Sequence, residues 1–205
     1  MDTNISNSIK VWDPLIRVFH WSLVFFFILA YATEDDWMTV HSYAGYCIAG
    51  LILFRLIWGV IGTRHARFTD FITTPSNVIG YMKQLPAGRA KRYIGHNPAG
   101  AAMIVVLLVS LSMTLFSGAS LYATEGQGPL VGTFMASWSE DALEEVHEFF
   151  ANFTLLMVVA HVMGVLLSSL LHRENLVKSM ITGRKAVQVS SDSKHDDISY
   201  ERTQS

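Results

Sequence analysis

The chain has 205 residues, of which 51% are apolar and 16% charged, against about 25% charged in a typical soluble domain. That balance excludes an ordinary cytosolic enzyme, and neither a Gly-rich phosphate loop nor a zinc-type cysteine spacing occurs. A net charge of -2 supplies no polyanion-binding field, so no nucleic-acid partner is expected, and the single cysteine, Cys47, can build neither a disulfide framework nor a sulfur-ligated cluster within one chain.

Four stretches reach the roughly 20 apolar residues that a membrane-crossing helix requires: residues 14–32, 41–61, 98–123 and 146–171. They predict an all-α integral membrane protein, a four-transmembrane-helix bundle spanning residues 1–183. In the first span the apolar run Val18 to Leu29 followed by Ala30-Tyr31-Ala32 imitates a signal peptide and its cleavage site. The long polar leader with Asp13 and Pro14, and a histidine inside the run, argue against cleavage there. The third span carries no charge, and Asn97 as N-cap with Pro98 at the first helical position marks its start.

The segments between the spans differ in sign. Residues 62–97 hold Arg64, Arg67, Lys83, Arg89, Lys91 and Arg92, whereas residues 33–40 and 124–145 hold Glu34, Asp35, Asp36, Glu125, Glu140, Asp141, Glu144 and Glu145 without one Lys or Arg. The positive-inside rule therefore predicts a multi-pass protein with both termini and the long basic loop in the cytoplasm and the acidic loops outside. Within that loop, residues 76–85 read as a short helix at the membrane surface, because Val78, Ile79, Met82 and Leu85 share a face. Residues 184–205 are rich in charge and poor in apolar side chains, which predicts a disordered cytoplasmic tail.

Ionisable side chains at membrane depth are costly and are candidate functional residues by default. Four histidines qualify: His20, His41, His147 and His161. His65, His96, His172 and His195 fall in the basic loop, at a helix end or in the tail, and read as interfacial or solvated. His147 and His161 are separated by about 21 Å of helix rise and lie about 40° short of a whole number of turns. They share a face at two depths. His20 lies near the cytoplasmic end of its span and His41 opens its span at the outer end, so the set sorts into an inner pair, His20 with His161, and an outer pair, His41 with His147.

Singly, each of these histidines reads as an interhelical hydrogen-bonding residue. Four that pair by level on three helices read as ligands. Two stacked imidazole pairs suit two flat cofactors with one axial ligand from either side, as in bis-His haem, while ligands about 21 Å apart on one helix cannot converge on a single zinc-type site. Arg55 lies at the level of the inner pair and reads either as the counter-charge of a haem propionate or as a snorkelling side chain; Arg17 carries the same two readings. Gly45, Gly59, Gly164 and Ala151 leave close-approach surfaces, for a flat group or for helix packing. The five tryptophans fall mostly near the membrane interfaces, where an aromatic belt accounts for them.

A longer pattern runs through these residues: Val11-Trp12-Asp13-Pro14, Arg17 and His20-Trp21; His41 with Gly45; Arg55 with Trp58-Gly59; Gly95-His96-Asn97-Pro98-Ala99-Gly100; His147-Glu148; His161 with Gly164 and Ser168; and LVKSMITGRK over residues 176–185. In that order it resembles the prokaryotic cytochrome b561 family, which includes the cytochrome b subunits of nickel-iron hydrogenases. The resemblance implies a four-helix protein of the bacterial inner membrane with two non-covalent b-type haems, one ligated by His20 and His161, the other by His41 and His147. It also implies electron exchange between membrane quinone, a further candidate cofactor, and a periplasmic or membrane redox protein such as a c-type cytochrome, a hydrogenase or another dehydrogenase. On this reading the chain is an electron-transfer subunit whose oxidoreductase activity is shared with a partner. Two alternatives remain open at this point: a stand-alone quinone reductase such as a superoxide oxidase, and a cation or proton carrier.

Overall fold

The computed structural model describes residues 8–34, 36–85 and 88–186. In chain order it contains β1 (Ser8–Lys10), α1 (Pro14–Ala32), α2 (Met38–Ile61), a single 3-10 turn at Arg64–Ala66, α3 (Phe68–Phe71), α4 (Pro75–Gln84), α5 (Pro98–Thr124), a second 3-10 turn at Phe134–Ser137, α6 (Glu140–Leu171), α7 (Leu176–Thr182) and β2 (Arg184–Ala186). Among the described residues, α1, α2, α5 and α6 are the four helices long and apolar enough to cross a membrane. Their starts follow from local chemistry. The Asp13 carboxylate accepts the Ile16 N–H ahead of Pro14, and the Asn97 side chain accepts the Gly100 N–H ahead of Pro98. At α6 the Ser139 hydroxyl accepts the Ala142 N–H, and Glu140 and Asp141 occupy the first turn, where the helix dipole favours negative charge. Helix α6 therefore begins at Glu140 rather than at residue 146, since hydropathy does not register an acidic first turn.

Helices α1 and α2 pack as one hairpin and α5 and α6 as another, joined at Ile48, Ile52 and Leu111 with Leu23, Phe26 and Phe27 against them. Large apolar side chains such as Phe25, Leu53, Val60, Leu156 and Leu170 stay exposed on the outside of the bundle, as a lipid-facing surface requires. Between α5 and α6, Ser110 and Thr154 are buried and hydrogen-bonded to each other. Thr154 stands midway along α6 between His147 and His161, so the hydroxyl pair ties the helices together between the two histidine levels, a bond of about 0.6 kcal/mol in a membrane interior.

The described part of the basic loop, residues 8–13 and residues 172–186 fold together into a cap over one end of the bundle. Strand β1 pairs antiparallel with β2, Ser8 opposite Ala186 and Lys10 opposite Arg184. Residues 184–186, assigned from composition to the disordered tail, thus form a strand, and residues 187–205 lie outside the described residues. Gly183 makes the pairing possible: its φ of +79° ends α7 in the left-handed conformation, its carbonyl accepts the Val11 and Trp12 N–H groups, and a Cβ would stand 2.6 Å from the Trp12 carbonyl oxygen. Asp13 is the knot, accepting from the Thr63 hydroxyl at 2.6 Å and the Trp58 indole N–H at 3.3 Å as well as from Ile16. Burial works to raise its pKa, but these donors override it and hold the carboxyl below its ordinary value.

Helix α4 covers most of the stretch expected from the periodicity of residues 76–85. Its Tyr81 is buried in the cap, while Ile79 and Met82 are exposed. Two tryptophans expected in an interfacial belt belong to the cap instead: Trp12 is buried, and Trp58 is bonded to Asp13.

Candidate functional site

The structure brings the four intramembrane histidines together in two pairs. The His20 and His161 ring centres are 6.5 Å apart and tilted by 51°; those of His41 and His147 are 6.1 Å apart and close to perpendicular, at 80°. Two imidazoles that face one metal, each with a nitrogen about 2 Å from it and the ring centre about 1 Å behind, stand roughly 6 Å apart centre to centre. Among the described residues, no group of three or more His, Cys, Asp and Glu side chains converges on one point as a zinc site would require.

The outer pair is oriented by backbone. His41 Nδ1 lies 2.9 Å from the Ala30 carbonyl oxygen, and His147 Nδ1 lies 2.9 Å from that of Thr114 and 3.3 Å from Ser117 Oγ. A carbonyl only accepts, so Nδ1 carries the proton in both rings and Nε2 keeps its lone pair for a ligand, the usual way a metal-binding histidine has its tautomer fixed. His20 differs, since its Nδ1 is buried without a partner.

Glycine makes room for these rings. A Cβ on Gly118 would lie 2.7 Å from His147 Cε1 and 2.9 Å from its Nδ1, so this residue of α5 admits the imidazole. The composition-based reading missed it, and its one signal is a glycine deep inside the uncharged third span. Gly45 and Gly164, on the same faces as His41 and His161, meet respectively only Leu115 at 4.0 Å and nothing within 4 Å. Gly59 serves the cap instead, because the Phe68 ring occupies the place of its Cβ.

In Gly118→Val the added methyls collide with a ring that cannot turn away without losing its Thr114 bond, at about 1–3 kcal/mol for an overpacked core. Were His147 a haem ligand, as the resemblance above implies, the variant would lose or broaden the spectral component of that haem. Gly50→Ala, at a position with nothing within 4 Å, is expected to leave the spectrum unchanged. An unchanged spectrum in Gly118→Val sinks the positioning role.

Arg55 does not snorkel. It is 4% exposed, with Cζ 4.5 Å from the Phe68 ring centre and 5.9 Å from that of Phe71. Its Nη1 has no hydrogen-bond partner. Phe19 and Phe54, the neighbours of His20 and Arg55, meet at 6.1 Å, which puts Arg55 at the level of that histidine pair. Arg17 turns to the cap, donating from Nη1 to the Ile181 carbonyl at the end of α7, while its Nε is buried without a partner.

The remaining histidines are not all solvated. His65 bonds Asp70 at 3.0 Å. His96 is packed between Trp12 and Phe71, each ring centre 4.6 Å away. His172 caps α6 with its Nε2 buried and unpartnered, and His195 lies outside the described residues.

The described fold is an apolar four-helix membrane bundle with histidine pairs facing each other at two levels. The chain belongs to the prokaryotic cytochrome b561 family, which matches it over residues 11–183. It is similar to a probable Ni/Fe-hydrogenase B-type cytochrome subunit of Bradyrhizobium diazoefficiens, at 23% identity with 87% of this chain and 86% of that protein covered. Proteins of the same description from Rhizobium leguminosarum bv. viciae, at 23% identity with 87% and 89% covered, and Azotobacter vinelandii, at 24% identity with 86% and 88% covered, are also similar. No solved structure matches the chain.

A b-type cytochrome family implies haem b. The residues present fit that group: imidazole donors facing each other with the proton fixed on the far nitrogen, glycines that leave open faces beside two of them, and a buried guanidinium with an unsatisfied N–H at one level.

Proposed function

We propose that the chain is a membrane cytochrome b that holds two haem b groups, one between His20 and His161 and one between His41 and His147, and carries electrons between the membrane quinone pool and a redox partner. The observation that carries this reading is the presence of two imidazole pairs, 6.5 Å and 6.1 Å centre to centre, on facing helices. Haem, when bound, supplies a one-electron ferric/ferrous couple, and the protein supplies ligands, orientation and electrostatics.

Ala30 and Thr114 hold the outer imidazoles in the ligating tautomer through their carbonyls. Arg55 would pair with a propionate of the inner haem, and Arg17 would add positive charge at the same end of the bundle. The basic cap faces the cytoplasm of a bacterial inner membrane, since its loop gathers Arg and Lys while the opposite loops carry only acids. Similarity to proteins described as Ni/Fe-hydrogenase cytochrome subunits supports a hydrogenase as the partner, docked at the acidic face beside the outer pair.

The test is an optical spectrum with a haem-to-protein ratio. Two haems per chain are expected, with the sharp reduced bands of low-spin, six-coordinate iron and release of haem into acid-acetone, since no Cys-x-x-Cys-His attachment motif exists. Saturation at one haem per chain overturns the two-site reading, and protein that binds none overturns the function.

A further inference from the structure

Six buried side-chain polar atoms among the described residues lack a hydrogen-bond partner: Arg17 Nε, His20 Nδ1, Arg55 Nη1, Tyr81 Oη, His96 Nδ1 and His172 Nε2. All six lie in the half of the molecule that carries the cap, and none lies around the outer pair, whose Nδ1 atoms are bonded. Orphaned buried polar groups are rare in native proteins, so a cluster of them calls for a common partner.

Two of the six, on Arg55 and His96, flank one side chain: the Phe71 ring centre is 5.9 Å from Arg55 Cζ and 4.6 Å from the His96 ring centre. The cations and acids around them are otherwise accounted for. Lys185 and Arg92 are both paired with Glu174, Asp70 is taken by Arg64 and His65, and Asp13 is satisfied by Thr63, Trp58 and Ile16. Arg55 has no carboxylate within ion-pair distance among the described residues. A carboxylate group entering beside Phe71 would satisfy both orphaned nitrogens.

We propose that His96 shares with Arg55 the propionate carboxylates of the haem held by His20 and His161, and takes up a proton when that haem is reduced. The inference rests on the haem reading above. His96 is suited to this by position. Its ring is clamped between Trp12 and Phe71, and it also lines a cavity of about 520 Å³ that reaches Asp70, Tyr81, Lys91 and Tyr93 and offers a route to water at the basic end.

The charged and titratable groups that face it are Arg55 from α2, Lys185 from β2, His65 from the turn before α3, and Asp70 from α3. Burial first, then Arg55, Lys185 and His65, push its pKa down to about 3 against the opposing pull of Asp70. With Asp70, already bonded to Arg64 and His65, as the anion that acts on it, His96 is neutral at ordinary pH. A carboxylate raises that pKa, and an added electron on the same cofactor raises it further. For each electron the haem accepts from its redox donor, passing from ferric to ferrous, His96 gains one proton from water at the basic end. Charge is thereby balanced locally. The sign follows: proton uptake on reduction makes the potential fall as pH rises.

Optical redox titration of the purified holoprotein from about pH 6 to about pH 9, the range a perturbed histidine covers, tests this. The inner component is identified as the one that Arg55→Leu shifts. Its potential is expected to fall with pH while the other component stays flatter. His96→Gln, and His96→Phe, which keeps the aromatic stack, are expected to cut that slope at least two-fold, and His65→Gln to keep it. A flat inner component in the wild type, a slope that survives in either His96 variant, or a slope lost in His65→Gln overturns the proposal.

Should neither His96 variant accumulate, the His96 pKa is read by NMR on labelled wild-type protein in the ferric and ferrous states, and an equal pKa in both overturns it. Protein that binds no haem is a failure of the underlying function instead, visible before any titration begins.

Discussion

His20→Ala and His161→Ala are each expected to abolish the same haem spectral component, and His41→Ala and His147→Ala each to abolish the other. The two ligands of one iron must lie at one depth, and His147 and His161 stand about 21 Å apart along their helix, so they cannot serve the same site. The ring-centre separations of 6.5 Å and 6.1 Å pair each with a histidine of the other hairpin, His20 of α1 and His41 of α2. The effect is large because a bis-His haem has no third donor to fall back on. Removing one imidazole leaves five-coordinate iron and frees one hairpin from the other at that level. The double variant His20→Ala with His161→Ala is expected to retain one haem, since the outer rings are oriented by Ala30 and Thr114, which it does not touch. Haem content of membrane-extracted protein checks each variant, read on those that accumulate. Loss of the same component in His20→Ala and His41→Ala would falsify the assignment by depth.

The parts of this architecture legible in the sequence are those with long-range regularity. Span length and hydropathy mark α1, α2, α5 and α6, and helical rise turns the spacing of His147 and His161 into a depth difference without any tertiary information. The cap is another matter. Strands β1 and β2 are three residues each and come from opposite ends of the chain, too short to show alternation, and the tail's polar composition pointed to disorder. What holds β2 in place is backbone pairing, together with Lys185, whose side chain is buried against Glu174. His96 sits next to the N-cap Asn97 and reads as interfacial until Trp12 and Phe71, distant in sequence, close on it. Arg55 illustrates the same limit. Helix position gave its depth, but whether its guanidinium reaches headgroups or stays inside depends on Phe68, which closes over α2 because Gly59 has no Cβ.

Arg55→Leu is expected to lower the midpoint potential of the inner haem while leaving the outer one nearly unchanged. Burying an ion costs several kcal/mol that only a well-placed counter-charge recovers, yet Asp13, whose charge acts on Arg55, is already bonded to Thr63, Trp58 and Ile16 and forms no ion pair with it. Two Phe rings stabilise the cation in part, at about 0.5–2 kcal/mol for such contacts, and in the proposed reading a haem propionate would supply the rest. A fixed positive charge beside a haem favours the reduced form, which carries one positive charge fewer, so removing it lowers the potential. At an effective dielectric constant of 20, a unit charge at about 8–10 Å contributes about 2 kcal/mol, which corresponds to about 90 mV on the one-electron scale. Arg55→Lys keeps the charge but loses the planar fork, and is expected to fall between the two. Optical titration of both components reads the outcome. Equal shifts at both haems would mean that Arg55 acts through the bundle as a whole, and no shift would mean that its charge is balanced by something other than the haem.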